Sequence, residues 1–136
     1  MNFIAGQKIF EALSKSYRVY LCGDLKSPQS DLQWIDDKQL EIGISYYNQF
    51  SADKPHFHKN ATEYNYVLKG TTKLFIIDEN QEYTFDSGSL FVIPPNLKYA
   101  TKHVEDTQIL FIKAPGGNDK QLIDISTDLE AWLQMW

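Results

Sequence analysis

Cysteine is almost missing from this chain. Cys22 stands alone among 136 residues, so no internal disulfide can form, and one thiol gives no sign of a redox or thiolate–metal centre. Its place in the run Tyr17–Cys22 fits a small core residue on a strand. Long apolar runs are also missing: none approaches the roughly 18 residues that a membrane-crossing helix requires. Met1 to Phe10 has no basic lead followed by an apolar stretch, the pattern of a secretory signal. The expectation is a soluble, cytoplasmic protein that uses no membrane. Clustered positive charge is absent as well. The 13 Lys and Arg are dispersed and outnumbered by 18 Asp and Glu, for a net charge of −5. This argues against nucleic acid as a partner, because phosphate binding needs grouped basic side chains. No 20–50-residue repeat is visible.

Aromatic residues are abundant: eight Tyr, eight Phe and three Trp, 14% of the chain. Such residues suit strands and an enclosed pocket. A length of 136 residues fits one domain with a sizeable core. Residues 7–14 carry apolar side chains at 9, 10 and 13, the spacing of a short helix or helical arm. From Tyr17 onward the pattern is of strands and turns. Tyr17–Cys22 reads as a strand, 26–31 as a loop and Leu32–Ile35 as a short strand. Leu40, Ile42, Ile44 and Tyr46 alternate with Glu41, Gly43 and Ser45, which predicts a half-buried strand with the first set facing inward, and Asn48 and Phe50 continuing that parity. Further strands are expected over 63–68, 72–77, 82–85, 90–93, 99–103 and 108–113, separated by Gly-, Pro-, Asn- and Asp-bearing turns. Eight to ten short strands at this spacing predict an antiparallel sandwich or barrel, and a barrel of this size can hold one small ligand. At the C-terminus, Thr127-Asp128-Leu129-Glu130 fits a capping box. Leu129, Trp132, Leu133 and Trp136 then make one apolar helix face, which needs either this domain or a second copy to cover it.

The chemistry concentrates in Pro55-His56-Phe57-His58-Lys59-Asn60-Ala61-Thr62-Glu63. This stretch holds two of the three histidines. Two residues apart on a strand, they share one face. Glu63 opens the next strand, and two imidazoles with a carboxylate form the donor set of a divalent transition metal with open positions. A lone strand histidine is more often a packed side chain than a ligand; a spaced triplet of this kind favours ligation.

The spacing His56-x-His58, four residues, Glu63, six residues, Gly70 resembles the first motif of the cupin superfamily. Gly88, five residues, Pro94 resembles the opening of the second, and the resemblance extends over residues 40–113. It implies an all-β fold, the double-stranded β-helix or jelly-roll barrel, here with N-terminal strands over 1–39, a short C-terminal helix over 127–136, and one cupin domain spanning 1–136. It also implies one divalent transition metal (Fe, Mn, Ni or Zn) on His56, His58 and Glu63, a small-molecule ligand in the barrel, and a homodimer. Three departures stand out. Phe50 occupies the place of the first motif's opening glycine. Asn96 replaces a turn glycine, a mild change because Asn tolerates the left-handed conformation. Tyr99 falls where the family has its fourth ligand, a histidine. Tyr99 can then be a phenolate ligand, or stand back as an acid–base group beside a two-His-one-carboxylate centre, or belong to a metal-free site. His103, on the same face as Tyr99 and Thr101, is a substrate-binding candidate. So are Asn65, which shares strand parity with Glu63, and Tyr46. Lys54 and Lys59 flank the motif as surface lysines, and Asn118-Asp119-Lys120 reads as a loop without chemistry. Dioxygenase, isomerase and lyase activities are all compatible with the resemblance. A non-catalytic small-molecule or carbohydrate-binding module is the alternative, as is a metal-free epimerase-like barrel using Tyr99 and His103.

Overall fold

The computed structural model describes residues 1–136. Helix α1 (Gly6–Ser16) precedes twelve strands: β1 (Arg18–Gly23), β2 (Ile35–Asp36), β3 (Glu41–Tyr47), β4 (Ser51–Ala52), β5 (His56–His58), β6 (Thr62–Lys69), β7 (Thr71–Ile76), β8 (Gln81–Asp86), β9 (Leu90–Ile93), β10 (Tyr99–His103), β11 (Thr107–Ala114) and β12 (Lys120–Leu122). Helix α2 (Thr127–Gln134) closes the chain. The strands form two six-membered sheets. One has the order β2-β1-β3-β11-β6-β9; the other runs β12-β5-β10-β7-β8, with β4 also paired to β10. All pairings are antiparallel except β1 with β2. From β5 onward the chain repeatedly crosses between the sheets, which is the jelly-roll arrangement the strand pattern predicts.

One end of the space between the sheets is filled. Val67, Phe91 and Ile93 from the first sheet meet Leu74, Ile76 and Tyr99 from the second, with Phe85 and Leu97 packed against them. The other end is the polar cavity described below. Asn96 adopts φ 68°, as its glycine-like position requires, and its N–H donates to the His58 carbonyl at 2.7 Å. Gly43 serves a different need. A Cβ there would lie 2.3 Å from the Phe111 ring and 2.8 Å from the Val19 carbonyl, so its missing side chain lets an aromatic ring cross the strand.

The helix expected over residues 7–14 is present and one turn longer, so residues 1–39 are not strands alone. It packs Ala12 and Leu13 onto Val19 and Leu32, with Ile44 and Tyr46 alongside. This reverses the parity expected for β3. Glu41, Gly43 and Ser45 are the buried set facing the other sheet, while Ile42, Ile44 and Tyr46 lie on the helix-covered face. The strand is covered on both sides, and its cavity side is the polar one. Hydrophobic alternation therefore points away from the site.

At the other end, α2 is capped by Ser126, whose Oγ accepts from the Leu129 N–H at 3.1 Å. The cap lies one residue before the expected Thr127. The Trp132 ring packs on Phe75 at 5.6 Å and its Nε1 donates to Glu82. This helix thus covers the outer face of its own second sheet. Lys102, buried beneath it, donates to the carbonyls of Trp132 and Met135 at 2.8 and 2.7 Å and lies 4.0 Å from the Trp132 ring. A cation among the last carbonyls of a helix satisfies groups the helix itself cannot.

Candidate metal centre and its cavity

A cavity of about 260 Å³ opens between the sheets. His56, His58, Glu63, Asn65, Tyr99 and His103 all line it. Each comes from the parity its strand dictates: β6 buries Glu63, Asn65 and Val67, and β5 buries His56 and His58 around Phe57. The two histidines and Glu63 lie close in sequence but come from opposite sheets, on β5 and β6 respectively. Tyr99 is the register partner of His56 on β10.

The hydrogen bonds assign the imidazole tautomers. His56 Nδ1 lies 2.7 Å from the Lys54 carbonyl oxygen, which can only accept, so Nδ1 carries the proton. His58 Nδ1 lies 2.8 Å from Asp119 Oδ1. Burial pushes the Asp119 carboxyl up, but the backbone N–H groups of Asn60 and Ala61 and the His58 contact outweigh it and hold the group below the usual carboxylate range. An ionised Asp119 accepts from His58 as well. In the neutral ring, each Nε2 is then the lone-pair nitrogen. Burial lowers the His56 pKa, the largest effect on it, which favours the neutral ring. The Nε2 of His58 is buried with no hydrogen-bond partner and sits 4.0 Å from Glu63 Oε1. The His56 and His58 rings are perpendicular, with centroids 5.1 Å apart.

These residues fit a divalent ion by donor type, by tautomer and by the unpartnered Nε2. A carboxylate holding the remote nitrogen of a ligating histidine is the usual support for such a ligand. The donors stand wider than a closed shell. Ligands at about 2.1 Å and 90–109° would be roughly 3.0–3.4 Å apart, and no three His, Cys, Asp or Glu side chains converge as they stand. Tyr99 engages the carboxylate: its hydroxyl donates to Glu63 Oε2 at 2.7 Å. Burial, with the Glu63 charge and hydrogen bond, raises the Tyr99 pKa well above 10. In this arrangement the phenol is a proton donor.

His103 is committed internally. Its Nε2 contacts Asp53 Oδ2 at 3.1 Å, its Nδ1 contacts Thr72 Oγ1 at 2.9 Å, and Tyr47 stacks on its ring at 3.8 Å. Asp53 Oδ2 also accepts from Tyr47 and Thr101. Of the substrate-binding candidates, Asn65 faces the cavity with its Nδ2 buried and unpartnered. Tyr46 does not line the cavity. It stacks with Tyr17 and donates to Asp106 on the helix side, a consequence of the reversed parity of β3, and its neighbour Tyr47 lines the cavity instead.

Sequence reasoning also missed Arg18, Asp53, Asp119 and Lys120. Asn118-Asp119-Lys120 is not an idle loop. Asp119 joins His58 to the Asn60 and Ala61 N–H groups, and Lys120 pairs with His58 on the adjacent strand. Arg18 lies on a strand far from the motif in sequence, and Asp119 and Lys120 lie beside and in the short last strand, β12, so sequence separation hid their nearness to the histidines. Only Asp53, three residues before His56, lay near the motif.

The comparisons with known proteins agree with this architecture. No curated protein matches the chain. Among solved structures, KdgF from Halomonas sp. superposes with a TM-score of 0.55 at 19% identity, covering 61% of this chain and 74% of KdgF. Pac13 of Streptomyces, a nucleoside dehydratase also solved with uridine, superposes with a TM-score of 0.57 at 14% identity, covering 69% of this chain and 76% of Pac13. The 11S globulin of Wrightia tinctoria gives 0.55 at 21% identity, covering 65% of this chain and 24% of the globulin. Likeness at these identities establishes the fold alone. The cupin family profile matches residues 38–135. With two facing sheets in jelly-roll order, a polar cavity between them and a family match over most of its length, this chain belongs to the cupin family.

Proposed function

We propose that this protein is a metal-dependent cupin enzyme acting on a small molecule. His56 and His58, through Nε2, and Glu63 hold one divalent ion (Fe, Mn, Ni or Zn). When bound, such an ion supplies Lewis-acid or O₂-activating chemistry at its open positions. The observation that carries this reading is the Nε2 of His58, buried and unpartnered while Asp119 fixes the opposite nitrogen. A buried lone pair without a donor costs about 1–3 kcal/mol, and a cation between it and Glu63 removes that cost.

The other residues divide the remaining work. Tyr99 stands beside the centre as hydrogen-bond donor to Glu63 and is the acid–base group nearest a bound substrate. Asn65 offers an amide N–H to orient that substrate. His103 lies four residues beyond Tyr99 on one strand, about 13 Å away. It buttresses the wall through Asp53 and Thr72, which disfavours a metal-free Tyr99/His103 proton-transfer pair. The fold neighbours Pac13 and KdgF supply analogy only. The assembly proposed with this reading is a homodimer, formed through the exposed Tyr64, Tyr66, Leu90 and Val92 on the outer face of the first sheet.

Elemental analysis after equilibration with each ion tests the centre. One ion per chain, lost in His58→Ala and Glu63→Gln, supports it; no retention of any of the four ions overturns it. Metal retained in Tyr99→Phe means the phenol stands back, whereas metal lost there makes Tyr99 a ligand.

A further inference from the structure

We infer that the cavity mouth recognises an anionic group of the substrate, a carboxylate or phosphate, through Arg18 and Lys120. The inference rests on the proposed function only in taking this cavity as the substrate site.

Several of the cavity's charges are already partnered within the protein. Both carboxylates on the wall are bonded within the protein. Asp53 accepts from His103, Tyr47 and Thr101, and Glu63 accepts from Tyr99. Of the three basic residues lining the cavity, Lys113 is paired with Glu41 at 2.9 Å. Arg18 and Lys120 line the same cavity, yet neither takes part in any ion pair of the protein. They approach from opposite walls, Arg18 at the start of β1 and Lys120 at the start of β12. The Arg18 guanidinium lies 4.6 Å from the centre of the Phe111 ring and 5.9 Å from that of Tyr20. Stacking on cavity-lining aromatics orients the guanidinium plane while leaving its N–H edge for an acceptor. Lys120 is the register partner of His58, which brings its ammonium beside the metal-binding strand. Deeper in, the Asn65 Nδ2 is a third donor without an acceptor.

Two unpaired cations and an unpartnered amide donor call for a ligand that brings acceptor oxygens to them. An arginine fork matches carboxylate and phosphate alike, and lysine adds a point charge. The cavity volume of about 260 Å³ is below the usual 300–1,000 Å³ of drug-sized pockets, so the ligand is metabolite-sized. One end would sit on Arg18 and Lys120, and the other would reach toward Tyr99 and the histidine strand.

The test uses the full chain loaded with its preferred ion, and separately the chelator-treated chain. Malonate and inorganic phosphate are titrated by calorimetry at moderate salt, with metal content measured on every sample. At least one anion is expected to bind wild type. Binding should weaken about 10- to 100-fold in Arg18→Gln, the loss expected for a charge-assisted hydrogen bond, and also in Lys120→Gln. Arg18→Lys should recover part of it, and the surface variant Lys59→Gln should match wild type. Preference for malonate or phosphate names the group. Melting temperature on the same samples shows that each variant is folded. Anion binding that survives both substitutions but vanishes with the metal puts the anion on the ion and overturns the inference, as does absence of binding by wild type. Loss of anion binding in Arg18→Gln from a chain that never held metal supports this inference while refuting the metal centre.

Discussion

With the ion held as proposed, replacing Asp119 by Asn should weaken metal binding by about 100-fold or more, by changing a proton's position while leaving the ligand side chains in place. In the wild type, Asp119 Oδ1 accepts from His58 Nδ1 at 2.8 Å, and Oδ2 accepts from the Asn60 and Ala61 N–H groups at 2.8 and 2.7 Å. An asparagine has one acceptor edge and one donor edge. The two backbone N–H groups outnumber the single imidazole contact, so the amide oxygen turns to them and the amide NH₂ faces His58. The ring must then accept at Nδ1, which moves its proton to Nε2 and removes the lone pair beside Glu63. Loss of a supporting carboxylate alone weakens metal affinity about 10- to 100-fold; with the tautomer reversed, the loss should reach or exceed the upper figure. Exchanging charge-assisted bonds for neutral ones at three contacts costs roughly 1–3 kcal/mol of stability. The assays are metal competition against a chelator of known affinity, and nitrogen chemical shifts of the histidines in the metal-free protein. An Nδ1–H tautomer at His58 in wild type and an Nε2–H tautomer in Asp119→Asn are expected. An unchanged tautomer with unchanged affinity would refute the reasoning.

Other outcomes follow from the same structure. Burial raises the Asp53 pKa, but the His103 and Thr101 hydrogen bonds and the nearby Arg18 charge outweigh it and depress the carboxyl. Its contribution is therefore complete above the unfolded value of about 3.9 and is lost as pH falls toward the folded value. Melting curves between pH 7 and pH 3 should drop more steeply for wild type than for Asp53→Asn, and parallel curves would contradict this. Gly43→Ala drives a methyl into Phe111 and the Val19 carbonyl; a loss of about 1–3 kcal/mol is expected in urea unfolding, and a neutral effect would show that the ring yields freely. Lys102→Met leaves the Trp132 and Met135 carbonyls without their donor. It should cost roughly 1–3 kcal/mol and loosen α2, seen as altered Trp fluorescence; an unaltered spectrum and melting point would show that the cap is dispensable. Leu90→Asp on the exposed sheet face should convert a dimer to monomer in sedimentation at micromolar concentration, while a wild-type monomer would remove that assembly.

Sequence alone determined the features that are local and periodic. Strand parity put Glu63, Asn65 and Val67 on one face and Tyr99, Thr101 and His103 on another, because side chains on a strand alternate whatever the strand packs against. The histidine–glutamate spacing led to the right family, and Asn96 met the backbone demand its glycine-like position makes. Tertiary structure decided what parity cannot say, namely which face looks at which neighbour. On β3 the apolar face turned to α1, so Tyr47 replaced Tyr46 at the cavity. It also decided which distant segments reach the cavity histidines. Asp119 reaches His58 across 61 residues of chain and Asp53 reaches His103 across 50, contacts made by loops whose composition carries no direction. Tyr99 needed both. Its place in the chain marked it as the odd residue of the motif, and only its hydroxyl 2.7 Å from Glu63 gave it a proton-donating role, because burial beside a carboxylate disfavours the phenolate.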